Sequence, residues 1–108
     1  MTAVLLIAWH SRTGASEALA SAAGAGAGGA ARLMPCQDVT SADLLAAAGY
    51  LFVCPENLAS MSGAMKDMFD RCYYPVLGQI EGRPYATIVA AGSDGTGAQR
   101  QLDRICTG

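Results

Sequence analysis

The chain has 108 residues, 52% hydrophobic and 15% charged, with a net charge of −2. That length makes a single domain over 1–108 the expectation, and the apolar content is enough to build a core. The seven Lys and Arg are scattered rather than clustered, which argues against a nucleic-acid partner, and no apolar run is long enough to span a bilayer.

The first strong element is the continuous apolar run 3–9, the pattern of a strand covered on both faces. No basic stretch precedes it, so it does not read as a signal peptide and the cytoplasm is the expected location. The polar turn 10–16 follows. A helix is predicted over 16–24, with Ala18, Leu19, Ala22 and Ala23 on its apolar side. The Gly/Ala segment 24–29 reads as a loose helix end, because each Gly costs about 1 kcal/mol in a helix relative to Ala. A weaker strand is predicted at 31–35, confined to an edge by Pro35. Thr40-Ser41-Ala42-Asp43 resembles a capped helix start, and a short helix is predicted over 43–48.

A second strong strand is predicted over 50–54, a loop over 55–62 and an amphipathic helix over 63–73. On that helix Ala64, Met65, Met68, Phe69 and Cys72 share one face, the pattern of core packing rather than of a cofactor surface. The third strong strand, 85–91, ends in the loop 92–97, and a last helix is predicted over 98–106. Cys36, Cys54, Cys72 and Cys106 are far apart and His10 is the one histidine, whereas zinc ligands usually come in closely spaced pairs. No metal site is expected. The cysteines read as small buried hydrophobes of a reducing compartment.

Alternating strands and helices give a doubly wound parallel α/β sheet. Ligands of such sheets bind at the carboxyl ends of the strands. The loops 10–16, 55–62 and 92–97 all follow strong strands and therefore belong at one sheet edge. In the first, the hydroxyls of Ser11, Thr13 and Ser16 can donate, Gly14 permits close backbone approach, and a helix N-terminus favours an anion. The same residues also suit an ordinary capped turn. Arg12 either pairs with that anion or faces solvent. No Ser/His/Asp set and no acid–base pair is present, so no catalytic side chain is assigned.

The first loop matches the phosphate pattern of the flavodoxin-like superfamily at Ser11, Thr13, Gly14 and Ser16. The stretch Pro55-Glu56-Asn57-Leu58-Ala59-Ser60-Met61-Ser62-Gly63-Ala64-Met65-Lys66-Asp67, with Asp70 beyond it, resembles the second loop of the NAD(P)H-dependent FMN reductases. Ala91-Gly92-Ser93-Asp94-Gly95-Thr96-Gly97 resembles their Gly/Ser-rich third loop. Two departures stand out. Asn57 occupies a position often aromatic in that family. Four strands, in order 2-1-3-4, are predicted against the superfamily's five, so the fifth strand and last helix are expected to be missing, through truncation or with the open edge covered by a partner.

The resemblance implies FMN as cofactor and NAD(P)H as cosubstrate. The phosphate would lie on Ser11, Arg12, Thr13, Gly14, Ala15 and Ser16. The flavin ring would lie against Pro55, Glu56, Asn57, Leu58 and Ala59, and its pyrimidine edge against Gly92, Ser93, Asp94, Gly95 and Gly97. It implies a reductase that passes hydride from nicotinamide to flavin and then to a quinone, flavin or similar small acceptor, working as a homo-oligomer. Two alternatives stand beside it: a flavodoxin-type electron carrier, and a flavodoxin-like module that binds no flavin. The small net charge and the lack of aromatics in loops 55–62 and 92–97 favour the reductase over the carrier.

Overall fold

The computed structural model describes residues 4–92 and 94–107. β1 (Leu5–Trp9) buries Leu6, Ile7 and Ala8 completely, as a strand with both faces covered must. α1 (Ala15–Ala27) leads to β2 (Ala31–Pro35). α2 (Ser41–Ala46) leads to β3 (Gly49–Asn57). The two-residue β4 (Ser60–Met61) precedes α3 (Gly63–Val76). β5 (Tyr85–Ala90) and α4 (Thr96–Thr107) complete the order.

β1 lies between two parallel partners, with Leu5 opposite Ala31 and Gly49, and Trp9 opposite Pro35 and Val53. β5 runs parallel to β3, from the pair Tyr50 and Tyr85 to the pair Pro55 and Ala90. The four long strands therefore follow the expected order, β2-β1-β3-β5, and the sheet is flavodoxin-like. β4 was not expected. The chain turns back at Leu58 and Ala59, pairing Glu56 with Met61 and Asn57 with Ser60 in antiparallel register. That hairpin carries no Asn-Gly or Asp-Gly signal, so its sequence reads as loop.

The helices cover the two faces unequally. One core, over Leu6, Ala8, Phe52 and Cys54, is filled by Met65, Met68 and Cys72 of α3 and Leu102 of α4. Each of these Met and Leu side chains contributes roughly 1.5–3 kcal/mol when fully buried. The predicted stripe of α3 thus does face inward. On the other face α1 lies over Ile7 and Val53, with Leu5, Trp9, Leu51 and Ile88 around them. The side expected for α1 is not the buried one: Ser16 and Ala20 are buried, while Leu19 stays 41% exposed. The helix also continues through Gly24 to Ala27. A Cβ at Gly24 would meet only the end of the exposed Leu33 side chain, which is free to turn aside.

α2 runs two residues ahead of the predicted 43–48, because Thr40 itself is the cap. The Thr40 hydroxyl accepts the Asp43 N–H at 3.4 Å, and Asp43 Oδ2 accepts the Thr40 N–H at 2.8 Å. Asp43 serves here as well as the more usual Glu. Among the described residues no helix is long and apolar enough to cross a membrane.

Candidate functional site

The carboxyl ends of β1, β3 and β5 converge on a cavity of about 350 Å³. Its walls come from Ser11, Arg12, Thr13, Ala15 and Ser16 after β1, from Pro55, Glu56 and Asn57 at the end of β3, and from Ala90, Ala91 and Gly92 after β5. The three loops singled out in the sequence are therefore brought together. An apolar cavity of about 300 Å³ opens at the other end of the sheet, among Tyr50, Phe69, Val76 and Ile105. Two of its polar side chains are engaged by backbone carbonyls. The Tyr50 hydroxyl donates to the Leu44 carbonyl, and Arg83 Nη1 donates to the carbonyls of Leu45 and Ala47 at 2.7 Å each.

The first loop is closed from within. Ser11 Oγ accepts the Gly14 N–H at 2.9 Å, and Gly14 takes φ 99°, a conformation that favours glycine. Helical bonding begins with Ala18 N–H on the Gly14 carbonyl. The N–H groups of Ala15, Ser16 and Glu17 consequently have no acceptor among the described residues, and α1 has no side-chain cap. Ser16 is 1% exposed and lines the cavity, yet its hydroxyl has no partner among the described residues. A buried unpaired hydroxyl costs about 1–3 kcal/mol.

An anionic acceptor at this point would satisfy Ser16 and the open N–H groups together, with the helix dipole in its favour. Arg12 lies on the cavity wall with its side chain exposed, and Glu17 is an exposed acid in the first turn of α1. His10 donates its backbone N–H to Val53 at 2.9 Å, while its Nδ1 is buried without a partner among the described residues. Burial, and secondarily the Arg12 charge, push the His10 pKa below its ordinary value, so the ring is neutral at neutral pH.

The second loop is the β3–β4 hairpin. Leu58 at φ 50° and Ala59 at φ 64° are both left-handed without being glycine, at a cost of roughly 1–2 kcal/mol each. Leu58 is fully exposed at its tip. α4 holds the hairpin in place. Gln101 Oε1 accepts the Met61 N–H at 2.9 Å, and Gln101 Nε2 donates to Ser60 Oγ at 3.3 Å. Glu56 Oε2 accepts the Ala98 N–H at 3.2 Å. A Cβ at Gly97 would run into the Ala59 carbonyl, so only glycine permits this approach.

In the third loop Asp94 Oδ1 accepts the Thr96 N–H at 2.9 Å, and this bond holds the Asp94 carboxyl below the usual carboxylate range. Gly95 is buried at φ 72°. Ser93 lies outside the described residues. Of the residues expected at the site, Ser11, Arg12, Thr13, Ala15, Ser16, Pro55, Glu56, Asn57 and Gly92 line the cavity. Gly14 shapes the first turn, Leu58 and Ala59 form the hairpin tip, and Asp94, Gly95 and Gly97 build the start of α4. Ala90 and Ala91 of the wall, and Gln101 as the tether, were not expected. Nothing local marks Gln101, which sits 40 residues from the strand it holds.

The family described as NADPH-dependent FMN reductase matches residues 37–107. The match includes the second and third loops and begins after the first. No curated protein matches the chain. Among solved structures, a flavodoxin, WrbA-like protein from Agrobacterium tumefaciens is similar, with a TM-score of 0.80 at 19% identity over 95% of this chain and 71% of that one. The Trp repressor binding protein from Bacillus subtilis is similar with a TM-score of 0.68 at 22% identity, over 94% of this chain and 74% of that one. At these identities the two structures speak for the fold.

Proposed function

The chain belongs to the NADPH-dependent FMN reductase family, and from that membership we propose that residues 1–108 form one FMN-binding unit that oxidises NAD(P)H and reduces a small acceptor. The family places it among flavin-associated oxidoreductases. The flavin-loading step rests on one observation above all: the buried, unpartnered Ser16 hydroxyl beside the open N-terminus of α1. These residues fit a phosphate monoester, which offers several acceptor oxygens and negative charge and needs no side chain to move a proton.

In this reading Ser16, the N–H groups of Ala15 to Glu17 and the Thr13 hydroxyl hold the phosphate, with Arg12 at its solvent side. The backbone of Pro55, Glu56, Asn57, Leu58 and Ala59 faces the ring, and Gly92, Asp94, Gly95 and Gly97 face its pyrimidine edge. When bound, the flavin would supply the redox chemistry, hydride transfer from the nicotinamide and electron transfer to a quinone, a free flavin or a similar acceptor. The protein orients the two rings and offers N–H donors where negative charge builds up. The wall carries no aromatic side chain, which leaves room for a second planar ring and favours a reductase over an electron carrier. The working form in this reading is a homo-oligomer.

The test is an absorbance spectrum of the purified chain with FMN, followed by anaerobic NADPH. A bound flavin that bleaches rapidly with NADPH supports the reductase. Bleaching only by dithionite or by a partner reductase turns the reading to a flavodoxin-type carrier. Absence of flavin binding overturns both and leaves a module without flavin.

A further inference from the structure

We propose that Glu56 is a positioning residue, whose carboxylate fastens the β3–β4 hairpin to the first turn of α4 so that the second and third loops meet the flavin as one unit. The inference rests on the flavin reading for its ligand, but the clamp itself is a property of the chain alone.

The hairpin does not hold itself. It has only two residue pairs, Glu56 with Met61 and Asn57 with Ser60, and its turn needs two left-handed residues that are not glycine. Isolated, such a turn would open toward an extended chain. Three ties from α4 prevent that: the Ala98 N–H on Glu56 Oε2, the Met61 N–H on Gln101 Oε1, and the Gln101 side-chain amide on Ser60 Oγ. The absence of a side chain at Gly97 lets the Ala59 carbonyl approach from the same side.

Glu56 differs from the other ties in standing on both structures at once. It lines the cavity, and its carboxylate accepts a helix N–H that has no other acceptor among the described residues. Ala98 is completely buried, and its position in the first turn of α4 leaves its N–H without a helical acceptor. Removing the Glu56 carboxylate therefore strands a buried donor and releases a strained turn together. The two effects act in the same direction, away from the arrangement that presents the backbone of residues 55–59 to the cavity.

The experiment is amide hydrogen exchange on the ligand-free chain, paired with FMN titration, for wild type, Glu56→Gln, Glu56→Ala and Gln101→Ala. Glu56→Ala is expected to speed exchange at Ala98 and Met61 by about tenfold and to weaken FMN by a similar factor. Glu56→Gln keeps an acceptor oxygen and is expected to recover most of both. Gln101→Ala reaches the same hairpin from α4 and is expected to speed exchange at Met61 while leaving the Glu56 carboxylate intact. Unchanged exchange at Ala98 and Met61 in Glu56→Ala overturns the clamp. So does a Glu56→Gln chain with wild-type exchange but FMN affinity as poor as in Glu56→Ala, because the charge would then act on the ligand directly. If wild type binds no FMN, the proposed function fails, and the exchange measurements still decide the clamp.

Discussion

α1 and α4 begin in nearly the same way, each at the carboxyl end of a parallel strand after a short turn with a glycine at positive φ, yet they end up chemically opposite. At α4 the protein supplies its own anions, with Asp94 on the Thr96 N–H and Glu56 on the Ala98 N–H. At α1 no carboxylate accepts the first N–H groups among the described residues, and a buried hydroxyl is left over. The titratable neighbours agree: hydrogen bonding holds the Asp94 carboxyl low, whereas burial and Arg12 hold His10 neutral. A helix N-terminus is thus a structural joint when its donors are used and a ligand site when they are not. Which of the two it becomes depends on whether a carboxylate reaches it, from the same turn as Asp94 does or from a distant strand as Glu56 does.

The strongest way to break the comparison is to give α1 an anion of its own. Ser16→Asp is expected to lower FMN affinity by about a hundredfold or more, and Ser16→Ala by about tenfold, the loss of one hydrogen bond to a charged group. Both are read by flavin fluorescence titration, with circular dichroism to verify folding. Wild-type affinity in Ser16→Ala would mean that the phosphate does not sit there. The next largest effect is at the closed end. Gly97→Ala drives a methyl into the Ala59 carbonyl and is expected to lower stability by about 1–3 kcal/mol, seen in chemical denaturation.

α2 provides a third helix start, capped by Thr40 and Asp43, neither of which lines the cavity. Thr40→Ala is expected to lower stability by about 1 kcal/mol while FMN affinity stays at the wild-type value. A change in affinity there would show that global stability, not the chemistry of α1, governs binding.

The smallest effect is on pH. His10 is harder to protonate folded than unfolded, so its contribution to stability is present above the unfolded value near 6.5 and is lost as pH falls through it toward the folded value. The His10 ring resonances should titrate below 6.5 in the free chain. They should titrate higher once a phosphate lies beside the loop, since an anion favours the charged ring. A midpoint unmoved by FMN would separate His10 from the site.

Much of this protein is a property of its sequence alone. The apolar runs give the strands, their alternation with helices gives the parallel sheet, and connectivity places three loops on one edge. Periodicity also identifies the inward stripe of α3, because Met and Phe contrast with Lys and Asp. It fails on α1, where Ala and Gly occur on every side and offer no such contrast, so the sheet chooses Ser16 and Ala20 as the buried line. The hairpin at Leu58 and Ala59 is equally invisible, since its turn residues oppose it locally and α4 imposes it from a distance. Local spacing determines which elements form and in what order. It also supplies the close caps, such as Asp43 for Thr40 and Asp94 for Thr96. Only tertiary contact decides the donors whose partners lie tens of residues away, as Glu56 does from Ala98 and Gln101 from Met61, and the donors left over decide where an anion can bind.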